Sequence, residues 1–193
     1  MNFFLELFYK KYVDPVLYPL PIEYWVYFNN ALASFPTIEC LQGFSQSSRR
    51  TKKIQLIVLH HSGSLNFNKA LIWFKNPNSF SSVHYLIDLD GHIQQLVPDE
   101  NASLHVTSGI YKFSRLVNEM SIGISLIGNG FDRFTEAQYE AVAMLCAYLK
   151  KKYGLKNEDI FKHSEIECKP MATDPHPWSK EKFNELLDKF ENL

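Results

Sequence analysis

The chain has 193 residues, 46% of them hydrophobic and 21% charged, which suits a soluble globular protein with one sizeable core. A formal net charge of −1 argues against bulk attraction to nucleic acid or to an anionic membrane, so no nucleic-acid partner is expected. Three widely spaced cysteines, Cys40, Cys146 and Cys168, give neither a CxxC motif nor a complete disulfide framework, which fits a reducing compartment.

The first residues, MNFFLELFYKKYVDPVLYPLPIEYW, do not read as a secretory signal. Their apolar part is broken by Glu6, Lys10 and Lys11, with no positive start and no small-residue cleavage site. No apolar run is long enough to span a bilayer. The expected location is cytoplasmic by default, with export by another route left open. Residues 2–13 predict a short amphipathic helix, Pro15, Pro19 and Pro21 prevent its continuation, and residues 23–32 predict a second. This aromatic-rich extension is expected to pack on the main domain; protein or membrane-surface docking is the sharper alternative. Residues 34–53, rich in Ser and turn formers and then basic, read as a linker. The expected division is therefore a helical extension and linker over 1–43 and a main domain over 44–193.

The main domain opens on KIQLIVLHH, where Ile54 to His60 predicts a buried central strand delivering two histidines to its carboxyl end. Ser62-Gly63-Ser64 turns the chain into a helix over 66–74, stopped by Asn76-Pro77-Asn78. Alternation through Val83, Tyr85 and Ile87, then Asp90-Gly91, predicts a two-residue hairpin with a return strand over 93–97. Residues 98–118 read as an irregular loop containing His105, of a size that is often functional. SIGISLI (121–127) is a second buried strand. The clearest helix runs over 135–153, with a Thr135/Gln138 capping box, a C′ glycine at Gly154, and Cys146 as a small buried hydrophobe. A short strand over 160–162, a loop over 163–178 and a helix over 179–190 close the chain.

Strands and helices mix, so the domain is α/β. The polar groups that could converge are His60, His61, His84, His105, His163, Glu165 and Asp174. Two imidazoles and one carboxylate, with a position left open for water, are a standard set for hydrolytic zinc. Spacing alone selects no particular three of these groups.

Several segments, in order, resemble the zinc-dependent N-acetylmuramoyl-L-alanine amidases, a superfamily that includes the peptidoglycan recognition proteins. They are SSRRTKKIQLIVLHHSG, SSVHYLIDLDGHIQQLVPDE, SLHVTSG, NEMSIGISLIGNG, FTEAQYEAVAMLCAYLKKKYGL and KHSEIECKPMATDPHPW. The resemblance implies a single domain with a central mixed β-sheet flanked by helices, plus the helical N-terminal extension. It implies Zn2+ held by His60, His163 and Asp174, the last followed by Pro175 as in the family. It makes His61 a supporting residue, and His84, His105, Thr107 and Ser125 candidate substrate contacts. Glu165 is the expected acceptor for the outer N–H of a ligand histidine. The implied reaction is hydrolysis of the amide between N-acetylmuramic acid and L-alanine, in peptidoglycan or its muropeptides.

Two positions depart from the family pattern. Its SIGIE motif ends in a glutamate thought to act as general base, and this chain has Ser125; a family lysine two residues before the acidic ligand is Ala172 here. Loss of an oxyanion donor typically costs about a hundred- to a thousand-fold in rate, and loss of a general base about as much. Glu119 or Glu100 as base and Lys169 at the oxyanion are the candidate substitutes. The alternative function is a zinc-retaining pseudo-amidase that binds muropeptide, or another ligand, without turnover.

Overall fold

The computed structural model describes Cys40, Phe44, residues 46–169 and residues 173–191. The two helices expected before residue 33, and Ala172, lie outside the described residues. Within them the strands are β1 (Gln46–Arg49), β2 (Leu56–His61), β3 (Tyr85–Ile87), β4 (Ile93–Gln95), β5 (Asn101–Ser103), β6 (Ser121–Leu126) and β7 (Ile160–Lys162). The helices are α1 (Phe67–Lys75), α2 (Val117–Met120), α3 (Glu136–Tyr153), α4 (His163–Ile166) and α5 (Lys180–Glu191). A five-stranded sheet has the order β4-β3-β6-β2-β7. β2 runs parallel to both β6 and β7, β3 is parallel to β6, and β4 is antiparallel to β3. The sheet is mixed and flanked by helices, as expected.

β2 sits in the middle because it can be buried on both sides. Leu56, Ile57, Val58 and Leu59 are each no more than 1% exposed. Ile57 and Leu59 join Ile122, Ile124 and Leu126 of β6 against α3 and against Phe183, Leu187 and Phe190 of α5. Leu56 and Val58 face the other way, against Val106, Tyr111, Val117, Met120 and Ile166. A third cluster packs α1 (Ala70, Phe74) on Phe44, Val83, Leu86 and Ile127. Truncating such a fully buried Leu or Ile to Ala typically costs about 2–5 kcal/mol.

The α3 boundaries follow the sequence. Thr135 accepts from Gln138 N while the Gln138 side chain accepts from Thr135 N, and Gly154 closes the helix at φ 68°. Cys146 is fully buried. The hairpin differs: Asp88 N bonds His92 O, leaving a three-residue loop, Leu89 to Gly91, with Gly91 at φ 86°. Two strands lie where the sequence predicts none. β1 lies within the expected linker and pairs antiparallel with β5, which lies within the expected irregular loop. Neither has the apolar alternation that marks a strand, because the pair forms its own two-stranded sheet rather than the core sheet. Among the described residues no helix is long and apolar enough to cross a membrane.

Candidate metal centre

Parallel strands set the site. His60 lies near the carboxyl end of β2, paired in register with Ser125 of β6. His163 follows β7 directly and opens α4. Ligand sites in open α/β sheets favour such carboxyl ends. Asp174 arrives on the next loop, where its carbonyl accepts from Ser164 N at 3.0 Å. His60 Nδ1 is then 3.2 Å from Asp174 Oδ2, and His163 Nδ1 is 2.7 Å from Asp174 Oδ1. One ligand atom from each of the three lies within 4.8 Å of the others.

Charge is concentrated here. Burial alone would raise the Asp174 carboxyl, but hydrogen bonds from His163 and His60 outweigh it and hold the group well below the usual carboxylate range. Burial opposes protonation of His163, yet Asp174 and then Glu167 outweigh it and raise its pKa. Burial lowers His60, with Asp174 opposing in part. The donor set therefore fits a cation. Glu167 Oε2 lies 3.2 Å from His163 Nε2, so that nitrogen carries a proton and Nδ1 is the one available beside Asp174. Two imidazole nitrogens converging on one carboxylate are satisfied together by a positive ion, and two His with one Asp suit zinc with a position left open.

Glu167, rather than the expected Glu165, serves His163. Glu165 instead accepts from Lys162 N at 2.8 Å and sits near Lys162 and Lys180 Nζ. Glu167 also accepts from Thr107 N, Ser108 N, the Ser108 hydroxyl and Cys168 N. Burial would raise its carboxyl, but the Ser108 and His163 hydrogen bonds outweigh it and bring it down to about 2. The sequence carries one signal for this pairing: Glu167 is four residues after His163, one helical turn along the same face.

The other expected positions separate. His61 supports the site, accepting from His176 N at 3.1 Å and so tying the Asp174 loop to β2. His84, expected to contact substrate, is fully enclosed; Gly123 N donates to its Nδ1 and the Ser103 hydroxyl lies 2.8 Å from the same nitrogen. Burial, then the nearby Arg50 charge, lowers its pKa to about 4. His105 lies behind His60 rather than along an open groove, because the 104–120 segment folds onto the sheet. Ser125 is beside His60 but 1% exposed, and its hydroxyl has no partner among the described residues. Thr107 is exposed, with its N–H given to Glu167. Glu119 is at the wrong end of the sheet: it precedes Ser121, which is level with Leu56, and its carboxylate accepts from Thr51 N at 3.0 Å. Glu100 is exposed, with its carbonyl accepting from Arg50 N. Lys169 is exposed on the segment leading to Asp174.

Fold and cluster together define an α/β protein with a candidate zinc centre at the carboxyl ends of adjacent parallel strands. The chain matches the N-acetylmuramoyl-L-alanine amidase model over residues 50–177 and belongs to that family. It is 33% identical over 102 residues to the 1,6-anhydro-N-acetylmuramyl-L-alanine amidase AmpD of Enterobacter cloacae, covering 51% of this chain and 54% of that protein. The chain thus spans about half the length of that relative. Among solved structures, a selenomethionine AmpD derivative superposes with a TM-score of 0.62 at 23% identity, covering 78% of this chain and 99% of that one. The Escherichia coli amidase AmiD, in complex with anhydro-N-acetylmuramic acid-L-Ala-D-γ-Glu-L-Lys, superposes with a TM-score of 0.55 at 25% identity, covering 63% and 52%.

Proposed function

We propose that the protein is a zinc-dependent amidase that hydrolyses the bond between N-acetylmuramic acid and L-alanine in peptidoglycan fragments. The observation that carries this reading is the convergence of His60, His163 and Asp174 within a chain of this family. The names of its relatives support the substrate class, since AmpD acts on the 1,6-anhydro-muramyl amide and AmiD was solved with an anhydromuramyl peptide.

In this reading His60 Nδ1, His163 Nδ1 and a carboxylate oxygen of Asp174 hold the ion. Zinc would supply Lewis acidity, making water nucleophilic near neutral pH and polarising the scissile carbonyl. The chain's own groups orient the ligands. Glu167 keeps the proton on His163 Nε2. The Asp174 loop is fastened at two points, Ser164 N to Asp174 O and His176 N to His61 Nδ1. Ser125 stands where the family has a glutamate, and a serine hydroxyl does not take a proton from water at neutral pH.

The test is to load the full chain with zinc and incubate it with an anhydromuramyl tripeptide. The expected result is release of the free peptide amine, abolished by a chelator. Stable binding of intact ligand by the zinc-loaded protein, with no amine released on long incubation, would replace the amidase reading with a binding one.

A further inference from the structure

Behind His60 runs a line of buried polar groups. His60 Nε2 is 3.0 Å from His105 Nδ1, His105 Nε2 is 2.9 Å from Ser121 Oγ, and Ser121 Oγ is 2.6 Å from Val117 O. All three side chains are buried, Ser121 completely. The direction of every bond follows from the far end. A peptide carbonyl only accepts, so the Ser121 hydroxyl proton is committed to Val117 O. Ser121 Oγ must then accept from His105 Nε2–H. Among the described residues the buried His105 ring meets only His60 and Ser121 at its nitrogens, with no carboxylate against it, and an enclosed imidazole without a counter-charge is neutral. A neutral imidazole protonated at Nε2 has a bare Nδ1, and that atom accepts from His60 Nε2–H. His60 Nε2 therefore carries a proton, and Nδ1, which meets the Asp174 carboxylate, is the nitrogen left for an ion.

We propose that His105 and Ser121 are positioning residues that keep a proton on His60 Nε2, so that Nδ1 is the nitrogen offered to the metal site. The proposal deepens the zinc reading above and rests on it. A separate feature of β6 supports it. A Cβ added at Gly123 would come within 2.7 Å of His105 Cγ and 2.9 Å of its Nδ1, so the strand leaves a side chain's worth of room where the ring sits. Ser121, Gly123 and Ser125 alternate along one face of β6, while Ile122, Ile124 and Leu126 fill the opposite core. Without the relay, His60 would divide between two tautomers, one of which presents an N–H to the ion. Partners that fix a ligand histidine in this way typically contribute 10- to 100-fold in metal affinity, as an order of magnitude.

Two measurements on the full chain test this. The first is zinc affinity by chelator competition for the wild type and Ser121→Ala. The expected result is binding weaker by about 10- to 100-fold in the variant. The second is imidazole 15N NMR of the metal-free wild type, which needs no substitution and is expected to show His60 protonated at Nε2. A His60 Nε2 without a proton, or a folded Ser121→Ala that binds zinc as the wild type does, would overturn the relay. A wild type that takes up no zinc, while His60 keeps its Nε2 proton, would instead remove the metal reading and leave the hydrogen-bonded line standing.

Discussion

The two histidines that meet at Asp174 are held in opposite ways. His60 belongs to the sheet, and the line of groups behind it is buried and uncharged, ending on a peptide carbonyl. His163 belongs to the surface segments that follow β7, and its partner is a carboxylate drawing N–H and O–H donors from Thr107, Ser108 and Cys168. One side is positioned by the packing of a core strand. The other depends on electrostatics between two loops, which also meet through an isolated bridge from Gly109 to Glu167. The difference teaches that a site with one donor set can have a rigid half and a charge-dependent half.

The largest effect should come from the residue both halves share. Asp174→Ala removes the carboxylate facing both Nδ1 atoms, and zinc content measured by atomic absorption should fall to background. Metal content unchanged in this variant would show that the ligand assignment is wrong. Glu167→Gln attacks the surface half alone. It keeps an acceptor oxygen for His163 but removes the charge, and zinc affinity should weaken by about tenfold or more, with the β2–β6 core intact by amide hydrogen exchange.

Gly123→Ala attacks the sheet half alone. The added methyl meets the His105 ring, and overpacking of this kind typically costs about 1–3 kcal/mol, read as a lower midpoint in urea. If the midpoint is unchanged, the ring has room that the geometry denies it. A fourth experiment separates the halves by pH in the metal-free protein. The Glu167 carboxyl is lowered to about 2 in the folded state from an ordinary 4.5. Between those values the unfolded chain binds more protons, so this contribution is fully present above about pH 4.5 and lost as pH falls toward 2. Acid titration of stability should flatten in that window in Glu167→Gln and keep its slope in Gly123→Ala. The smallest effect is a control remote from both halves. Thr135→Ala removes the α3 cap at a cost of about 1 kcal/mol, and zinc affinity should not change.

What the sequence revealed divides along the same line. The strand KIQLIVLHH, the capped helix after Thr135 and the grouping of His60, His163 and Asp174 were legible, because periodicity and motif order act locally or come with the family. β1 and β5 were not, since they pair with each other across the irregular stretch and carry no apolar alternation. Glu167 was passed over for Glu165 because both are near His163, and only the approach of Thr107 and Ser108 decides between them. From the sequence His105 reads as a groove residue, because nothing in its own neighbourhood says that Ser121 and Gly123 stand under it.

The alternating small residues of β6 have a further consequence for how this chain can change. Position 121 is fixed by a hydroxyl with two obligations, and position 123 by the absence of any side chain. Position 125 has neither constraint: its hydroxyl is shut away beside His60 with no partner among the described residues, so removing it should be close to neutral for folding. Along one strand, then, two sites are committed to architecture and the third carries no hydrogen-bond duty. A change at 125 therefore leaves untouched the hydrogen bonds that hold His105 behind His60.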